Sequence, residues 1–238
     1  MKKTIEIKIA SDVVCPWCFV GKRQLTQAME LLKDEYHFEI TYLPFELSPG
    51  ISAEGVNFKQ HITEKFGDFE QFIARTSMLH ERGAALAIDF QIAKIEVSPN
   101  TFPLHMIIQY AHQFGLQSAV TEAFFKAYFE DLIDLSKTEN VIAVAKSAGL
   151  DEELIPAALH SEALASQTKD LQDRITKMEE ESAKNKGMNG VVSTLGEHFK
   201  DPSVLLGLVS GVSGLFKKQE VVAMNGVSDE VANNISTR

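Results

Sequence analysis

Cys15-Pro16-Trp17-Cys18 is the stretch that decides the fold, because it holds the only two cysteines of the 238-residue chain. It follows an alternating apolar run from Thr4 to Ala10, and that period of two residues predicts a β-strand. A helical pattern begins near Phe19, directly after the motif. A strand, a C-x-x-C motif and a helix in this order are typical of thiol–disulfide exchange.

The spacing of the two cysteines has a chemical reason. One turn of helix brings the two sulfur atoms close together, and Cys15 falls at the helix N-terminus, where backbone N–H groups favour a negative charge. We therefore expect a lowered pKa for the Cys15 thiol, which makes it the nucleophile. Pro16 suits the first helical position. Cys18 is expected to be more buried and to act as the resolving thiol.

Other uses of a cysteine pair fit the sequence less well. A structural zinc site needs four ligands, but the seven histidines are scattered and no H-x3-5-H pair occurs, so no metal site is predicted. A haem attachment motif would need histidine after Cys18, where Phe19 stands. Two inert, packed thiols are the remaining alternative.

Composition limits the possible partners. Hydrophobic residues make up 45% and charged residues 24% of the chain, as in ordinary globular proteins. A net charge of −10 argues against nucleic acid or an anionic membrane as a partner. No signal peptide is predicted at the N-terminus, and the run 203–216 is too short for a membrane span. We therefore expect a cytoplasmic protein, where a lone cysteine pair favours catalysis over a structural disulfide.

The hydrophobic pattern divides the chain into three parts. Residues 1–50 predict a β-α-β unit, because Phe38, Ile40 and Tyr42 alternate as a second strand after the first helix. Residues 51–186 predict only helices. Residues 187–238 become irregular and form an atypical C-terminal part. The helices predicted between residues 51 and 186 span 56–65, 68–87, 100–115, 117–135, 138–148, 151–160 and 162–186.

Several short motifs resemble the FrnE-type branch of the DsbA-like oxidoreductases, in the same order over about 190 residues. Each motif alone has little specificity, but together they are specific. They are Ser11 to Cys18 followed by Gly21-Lys22-Arg23, Pro44-Phe45-Glu46-Leu47 with Pro49, Lys65-Phe66-Gly67, Pro99-Asn100-Thr101 with His105, and Ala127-Tyr128-Phe129.

This resemblance implies an α/β, thioredoxin-like fold with a large all-α helical insertion between its N-terminal β-α-β unit and its C-terminal part. It also implies that Cys15 and Cys18 exchange electrons with protein or small-molecule disulfides. The redox-active disulfide would be the only redox group, with no bound cofactor, a thiol-based recycling partner and glutathione as a candidate co-substrate. The oligomeric state is left open.

The C-terminal part departs from the family pattern at one position. Gly187 to Val191 resembles the lead-in to a Gly-Val-Pro segment in which a cis-proline faces the dithiol and positions the substrate. Val192 stands where that proline is expected. A cis bond before valine would cost about 2.5–4 kcal/mol, so a trans bond is expected. Val191 and Val192 are therefore candidate substrate-binding residues with an altered geometry.

Other candidate residues each have a structural alternative. Asp12 is expected near the dithiol, as a proton acceptor or as a cap of the turn, and Trp17 is expected to be partly exposed as an apolar surface for substrate. Asn100 and Thr101 fit either a helix N-cap or a polar contact in the cleft. His105 could face the cleft or be structural.

The sequence thus predicts a disulfide reductase, isomerase or oxidase. Two alternatives stay open. One is a glutathione-dependent enzyme of the kappa-transferase or 2-hydroxychromene-2-carboxylate isomerase type, against which the two cysteines argue. The other is a non-catalytic relative that lacks the cis-proline.

Overall fold

The computed structural model describes residues 2–186 of the chain. It begins with strand β1 (Lys3–Ser11), helix α1 (Pro16–Leu32) and strand β2 (Tyr36–Pro44). The two strands pair in parallel along their whole length, from Lys3 opposite Tyr36 to Ser11 opposite Pro44. The predicted β-α-β unit is therefore present, with the cysteine motif in the turn from β1 into α1.

A run of helices follows, as predicted, although the first and last residues of these helices differ from the predicted ones. It also contains a short antiparallel pair of strands, in which Val56 lies opposite Ser98, and this pair was not predicted. The elements are β3 (Val56–Asn57), α2 (Phe58–Phe66), α3 (Phe69–Arg75), α4 (Ser77–Ala85), β4 (Val97–Ser98), α5 (Phe102–Ala111), α6 (Gln117–Phe129), α7 (Thr138–Ser147), α8 (Ile155–Leu159) and α9 (Glu162–Lys186), with 3-10 turns at Ile92–Lys94 and His112–Phe114.

Several predicted helices are shorter than the sequence pattern indicated, and of the predicted 151–160 only Ile155–Leu159 is helical. The span 68–87 is divided at Thr76, whose buried hydroxyl donates a hydrogen bond to the Ile73 carbonyl at 2.7 Å. The span 117–135 ends at Phe129, and Leu132 then adopts a left-handed backbone with a φ of 57°. Such a φ is uncommon for a residue other than glycine, so hydrophobic periodicity alone could not locate this helix end.

Aromatic packing joins the β-α-β unit to the helices. The Phe19 ring of α1 stacks on the Phe125 ring of α6, with centroids 5.0 Å apart and planes 4° from parallel. Phe90 meets both Phe19 and Phe129 edge to face. The aromatic residues of α6 are all buried. One continuous hydrophobic cluster therefore extends from the strands into the helical part.

The outer edge of β2 is covered by side chains of the helical part. Gln117 accepts a hydrogen bond from the Tyr42 N–H at 2.8 Å and donates one to the Tyr42 carbonyl at 2.9 Å. Gln109 donates a further hydrogen bond to the same carbonyl. These side chains take the place of a neighbouring strand, because an open strand edge leaves such groups unpaired.

Across residues 2–186, no helix combines the length and apolar content needed to cross a membrane.

Part of the predicted domain division is outside the described residues. The boundary between residues 50 and 51 falls between β2 and β3, but one hydrophobic cluster spans both sides of it. The division into 1–50, 51–186 and 187–238 stays a prediction. The predicted C-terminal part, with Val191 and Val192, lies beyond the part of the chain that the structure describes.

We predict that Phe125→Ala destabilises the protein by about 3–5 kcal/mol, because it removes a fully buried ring and leaves a cavity against Phe19. Phe114→Ala is the matched control, since the Phe114 ring is 48% exposed, and its cost should stay below about 1 kcal/mol. Urea denaturation followed by circular dichroism measures both. Equal costs would contradict the role given to the Phe19–Phe125 stack.

Candidate active site

The two cysteines are placed by the start of helix α1. Cys15 is the N-cap residue, with extended backbone angles (φ −95°, ψ 110°), and Pro16 occupies the first helical position. The Cys18 N–H donates a hydrogen bond to Cys15 Sγ at 3.3 Å. Cys15 is thus at the helix N-terminus, as predicted, and its sulfur accepts one of the N–H groups that the helix leaves unpaired there.

The burial of the two thiols is the reverse of the prediction. Cys15 is 1% exposed and belongs to the hydrophobic cluster, whereas Cys18 is partly exposed. The helical part extends the core over the turn that holds Cys15, and Cys18 faces the strand ends, where it hydrogen-bonds to Ser11.

Burial also changes the acidity of the pair. Burial raises the pKa of the Cys15 thiol, and this outweighs the lowering by the Cys18 N–H. The hydrogen bond from Cys15 lowers the pKa of the Cys18 thiol. Burial therefore opposes the lowered pKa that was expected at Cys15, because the loss of water disfavours the thiolate while the Cys18 N–H favours it.

Asp12 directly follows β1, is buried beside the dithiol and contacts three other parts of the fold. Its carbonyl oxygen accepts the Cys15 N–H at 3.0 Å. One carboxylate oxygen accepts the Leu47 N–H at 2.8 Å, in the loop after β2. The other lies 3.6 Å from Nε2 of His105 on α5, and both side chains are 2% exposed or less. Asp12 and His105 thus form one buried polar pair next to the cysteines.

Trp17 does not offer the exposed surface that the sequence suggested. It is only 4% exposed, and the Arg82 guanidinium of α4 stands over its ring, 5.6 Å from the ring centroid. This is a cation–π arrangement between the motif and the helical part. Trp17 therefore packs against α4 and presents little surface to a substrate.

Asn100 and Thr101 have different surroundings. Asn100 accepts the Phe102 N–H at 2.9 Å and donates to the Ile51 carbonyl at 2.7 Å, so it opens helix α5 and ties it to the preceding loop. Thr101 makes no capping hydrogen bond, is buried and lines a pocket next to the motif. Asn100 thus makes structural contacts just before α5 without being its N-cap, and Thr101 lines the cleft.

The pocket lies between the cysteine turn and the helical part and is partly open to solvent. Its rim carries a cluster that sequence reasoning missed. Ser48 Oγ lies 2.7 Å from Lys65 Nζ and 3.2 Å from His61 Nε2. His61 and Lys65 are four residues apart on α2 and share a face, and that spacing was the sequence signal that could have revealed the cluster.

Within residues 2–186, no three His, Cys, Asp or Glu side chains are grouped as metal ligands would be.

The strand–dithiol–helix turn against a helical part defines a thioredoxin-like oxidoreductase scaffold. The chain belongs to the DSBA-like thioredoxin domain family, whose model matches residues 6–191. The predicted α/β class with a helical insertion is thereby confirmed, and the FrnE-type branch stays a prediction.

Three relatives illustrate the similarity. The chain is 25% identical over 158 residues to the uncharacterized protein YwbO of Bacillus subtilis. The match covers 66% of this chain and 73% of YwbO. A probable DsbA oxidoreductase of Streptomyces coelicolor superposes with a TM-score of 0.67 and 27% identity, over 73% of this chain and 76% of its own. The cytosolic disulfide reductase DsbM of Pseudomonas aeruginosa, solved with GSH, is similar in fold at a TM-score of 0.50 and 12% identity, over 73% of this chain and 81% of its own.

We predict that Asp12→Asn lowers the pKa of the reactive thiol, because the Asp12 charge raises the pKa of both cysteines. The asparagine oxygen can still accept the Leu47 N–H, so the turn should be kept. The rate of iodoacetamide alkylation against pH measures the change, which should move its midpoint to lower pH. Asp173→Asn, at an exposed site on α9, is the control and should not move it. A midpoint unchanged by Asp12→Asn would contradict the electrostatic role.

Proposed function

We propose that this protein is a thiol–disulfide oxidoreductase that uses Cys15 and Cys18 as its redox couple. The observation that carries the proposal is the position of the Cys15 sulfur as the N-cap acceptor of α1, 3.3 Å from the Cys18 N–H, in a chain of the DSBA-like family. The buried Asp12–His105 pair beside the motif supports it, because a carboxylate and an imidazole can take up the proton that a thiol releases.

The proposed reaction transfers two electrons from the dithiol to a disulfide. The Cys15 thiolate attacks one sulfur of the substrate disulfide, forms a mixed disulfide and expels the other sulfur as a thiolate, which takes up a proton. The Cys18 thiolate then attacks Cys15 Sγ and releases the second substrate sulfur. The protein is left with a Cys15–Cys18 disulfide, and the reverse sequence oxidises substrates.

The assignment of Cys15 as nucleophile rests on its position at the helix N-terminus, and its burial opposes that assignment. Cys18 is the competing nucleophile, because it is the more exposed residue of the pair. The two roles differ in one consequence. The cysteine that attacks first keeps the substrate bound when its partner is replaced.

Reduction or isomerisation in the cytosol is the proposed direction. A cytosolic disulfide reductase shares the fold, and a lone dithiol without other cysteines fits a catalytic role. The direction requires a thiol-based recycling partner, and glutathione is the candidate co-substrate. Protein and small-molecule disulfides are both proposed substrates.

We predict that the wild-type protein accelerates the reduction of insulin by dithiothreitol and that Cys15→Ser abolishes the acceleration. The reason is that exchange needs both sulfur atoms of the couple. The turbidity of the precipitating insulin B chain measures the rate. A wild-type rate equal to that of Cys15→Ser would favour the non-catalytic alternative and would overturn the proposal.

Trapping with single variants decides the roles of the two thiols. Reduced Cys18→Ser protein should accumulate mixed disulfides at Cys15 after incubation with native, disulfide-bonded insulin, whereas Cys15→Ser should accumulate few. Non-reducing gels and mass spectrometry of the linked peptides identify the attached cysteine. The opposite pattern, with adducts on Cys18 in Cys15→Ser, would show that Cys18 attacks first.

A further inference from the structure

The pocket beside the dithiol combines an apolar interior with a polar rim. Its interior is formed by buried side chains of α2, α3, α6 and the turn after α4, and its wall includes Val14 and Pro16, on either side of Cys15. A group that fills this pocket therefore lies beside the turn that carries Cys15. The apolar interior residues are Phe58, Ile62, Phe72, Ile92 and Phe129.

The rim carries a positive charge. Lys65 is exposed, and its Nζ donates hydrogen bonds to the Leu47 carbonyl at 2.8 Å and to Ser48 Oγ at 2.7 Å. Both acceptors are neutral, and among residues 2–186 no carboxylate forms an ion pair with Lys65. These two hydrogen bonds hold the ammonium group at the mouth of the pocket, and an ammonium group has three donors.

The charges in the wall determine where a ligand's negative group can lie. Asp12 lines the inner side of the pocket and would repel a second carboxylate there. Lys65 is within electrostatic range of both Asp12 and Cys15. A ligand with one carboxylate would therefore place it at the rim beside Lys65 and its apolar part inside.

We propose that this pocket selects disulfides in which an aromatic group next to the sulfur carries a carboxylate, with Lys65 binding the carboxylate and the phenylalanine-rich interior holding the ring. This inference rests on the proposed function, because it names the substrate class of the same dithiol. His61 positions the rim through its contact with Ser48 Oγ. The electron transfer is the exchange described above, with the aromatic thiolate as the leaving group.

Three disulfides separate charge from aromaticity. 5,5′-Dithiobis(2-nitrobenzoate) has an aromatic ring and a carboxylate, 4,4′-dithiodipyridine has the ring without the carboxylate, and oxidised glutathione has carboxylates without an aromatic ring. The pre-reduced wild-type protein is mixed with each in single-turnover experiments. The maximal rate and the half-saturating concentration are read from released thiol absorbance, or from loss of protein thiols for glutathione. We expect the nitrobenzoate disulfide, which has both the ring and the carboxylate, to have the lowest half-saturating concentration of the three.

Lys65→Met keeps the apolar stem and removes the charge. It should raise the half-saturating concentration about three- to fivefold for the nitrobenzoate disulfide and leave that for the dipyridine disulfide unchanged, as expected for a charge at the pocket's rim. Lys65→Arg should restore binding. Lys59→Met is the matched control on the same helix, because Lys59 is exposed and pairs with Glu70.

The outcomes distinguish this inference from the proposed function. If Lys65→Met raises the half-saturating concentration equally for both aromatic disulfides, Lys65 acts only on the thiols, and the substrate assignment is overturned. Tighter half-saturation by oxidised glutathione would overturn the aromatic part. If no disulfide reacts faster with the wild type than with Cys15→Ser, the proposed function fails. Calorimetric titration with 4-nitrobenzoate, which cannot exchange, then still tests the pocket, and equal binding to wild type and Lys65→Met would contradict it.

Discussion

The buried carboxylate of Asp12 is the constraint on which the site depends. The backbone carbonyl oxygen of Asp12 accepts the Cys15 N–H. One carboxylate oxygen accepts the Leu47 N–H in the loop after β2, and the other faces His105 of α5. A carboxylate with 1% exposure is costly unless it is paired or hydrogen-bonded, so these partners are needed together. The strand end, the motif and the helical part are thereby fixed relative to one another around a single residue.

The helical part has two opposing effects on the dithiol. It buries Cys15, and this burial raises the pKa of the Cys15 thiol, while the α1 N-terminus and the Cys18 N–H favour the thiolate. It also supplies Arg82 over Trp17 and the Lys65 rim of the pocket. A substrate that fills the pocket and displaces water from its mouth reaches a site in which charge interactions are stronger than in bulk water. The same packing that buries the thiol therefore forms the pocket to which we assign substrate selection.

Local patterns predicted the fold better than they predicted the site. The alternation around Ile7 and the C-x-x-C spacing predicted β1, the motif and α1, because these signals lie within a few residues of one another. The contact between Asp12 and His105 joins residues that are far apart in sequence, and no local pattern encodes it. The burial of Trp17 depends in the same way on α4, whose start at Ser77 the helical periodicity did not reveal.

Titration of the cysteine couple in glutathione redox buffers tests the central claim most directly. The fraction of protein with a Cys15–Cys18 disulfide is measured by mass spectrometry after the remaining thiols are alkylated. We expect one cooperative two-electron transition, in which a tenfold change in the ratio of oxidised to reduced protein takes about 30 mV, and no such transition in Cys15→Ser or Cys18→Ser. Independent modification of each thiol, with no intramolecular disulfide at any buffer ratio, would contradict the account.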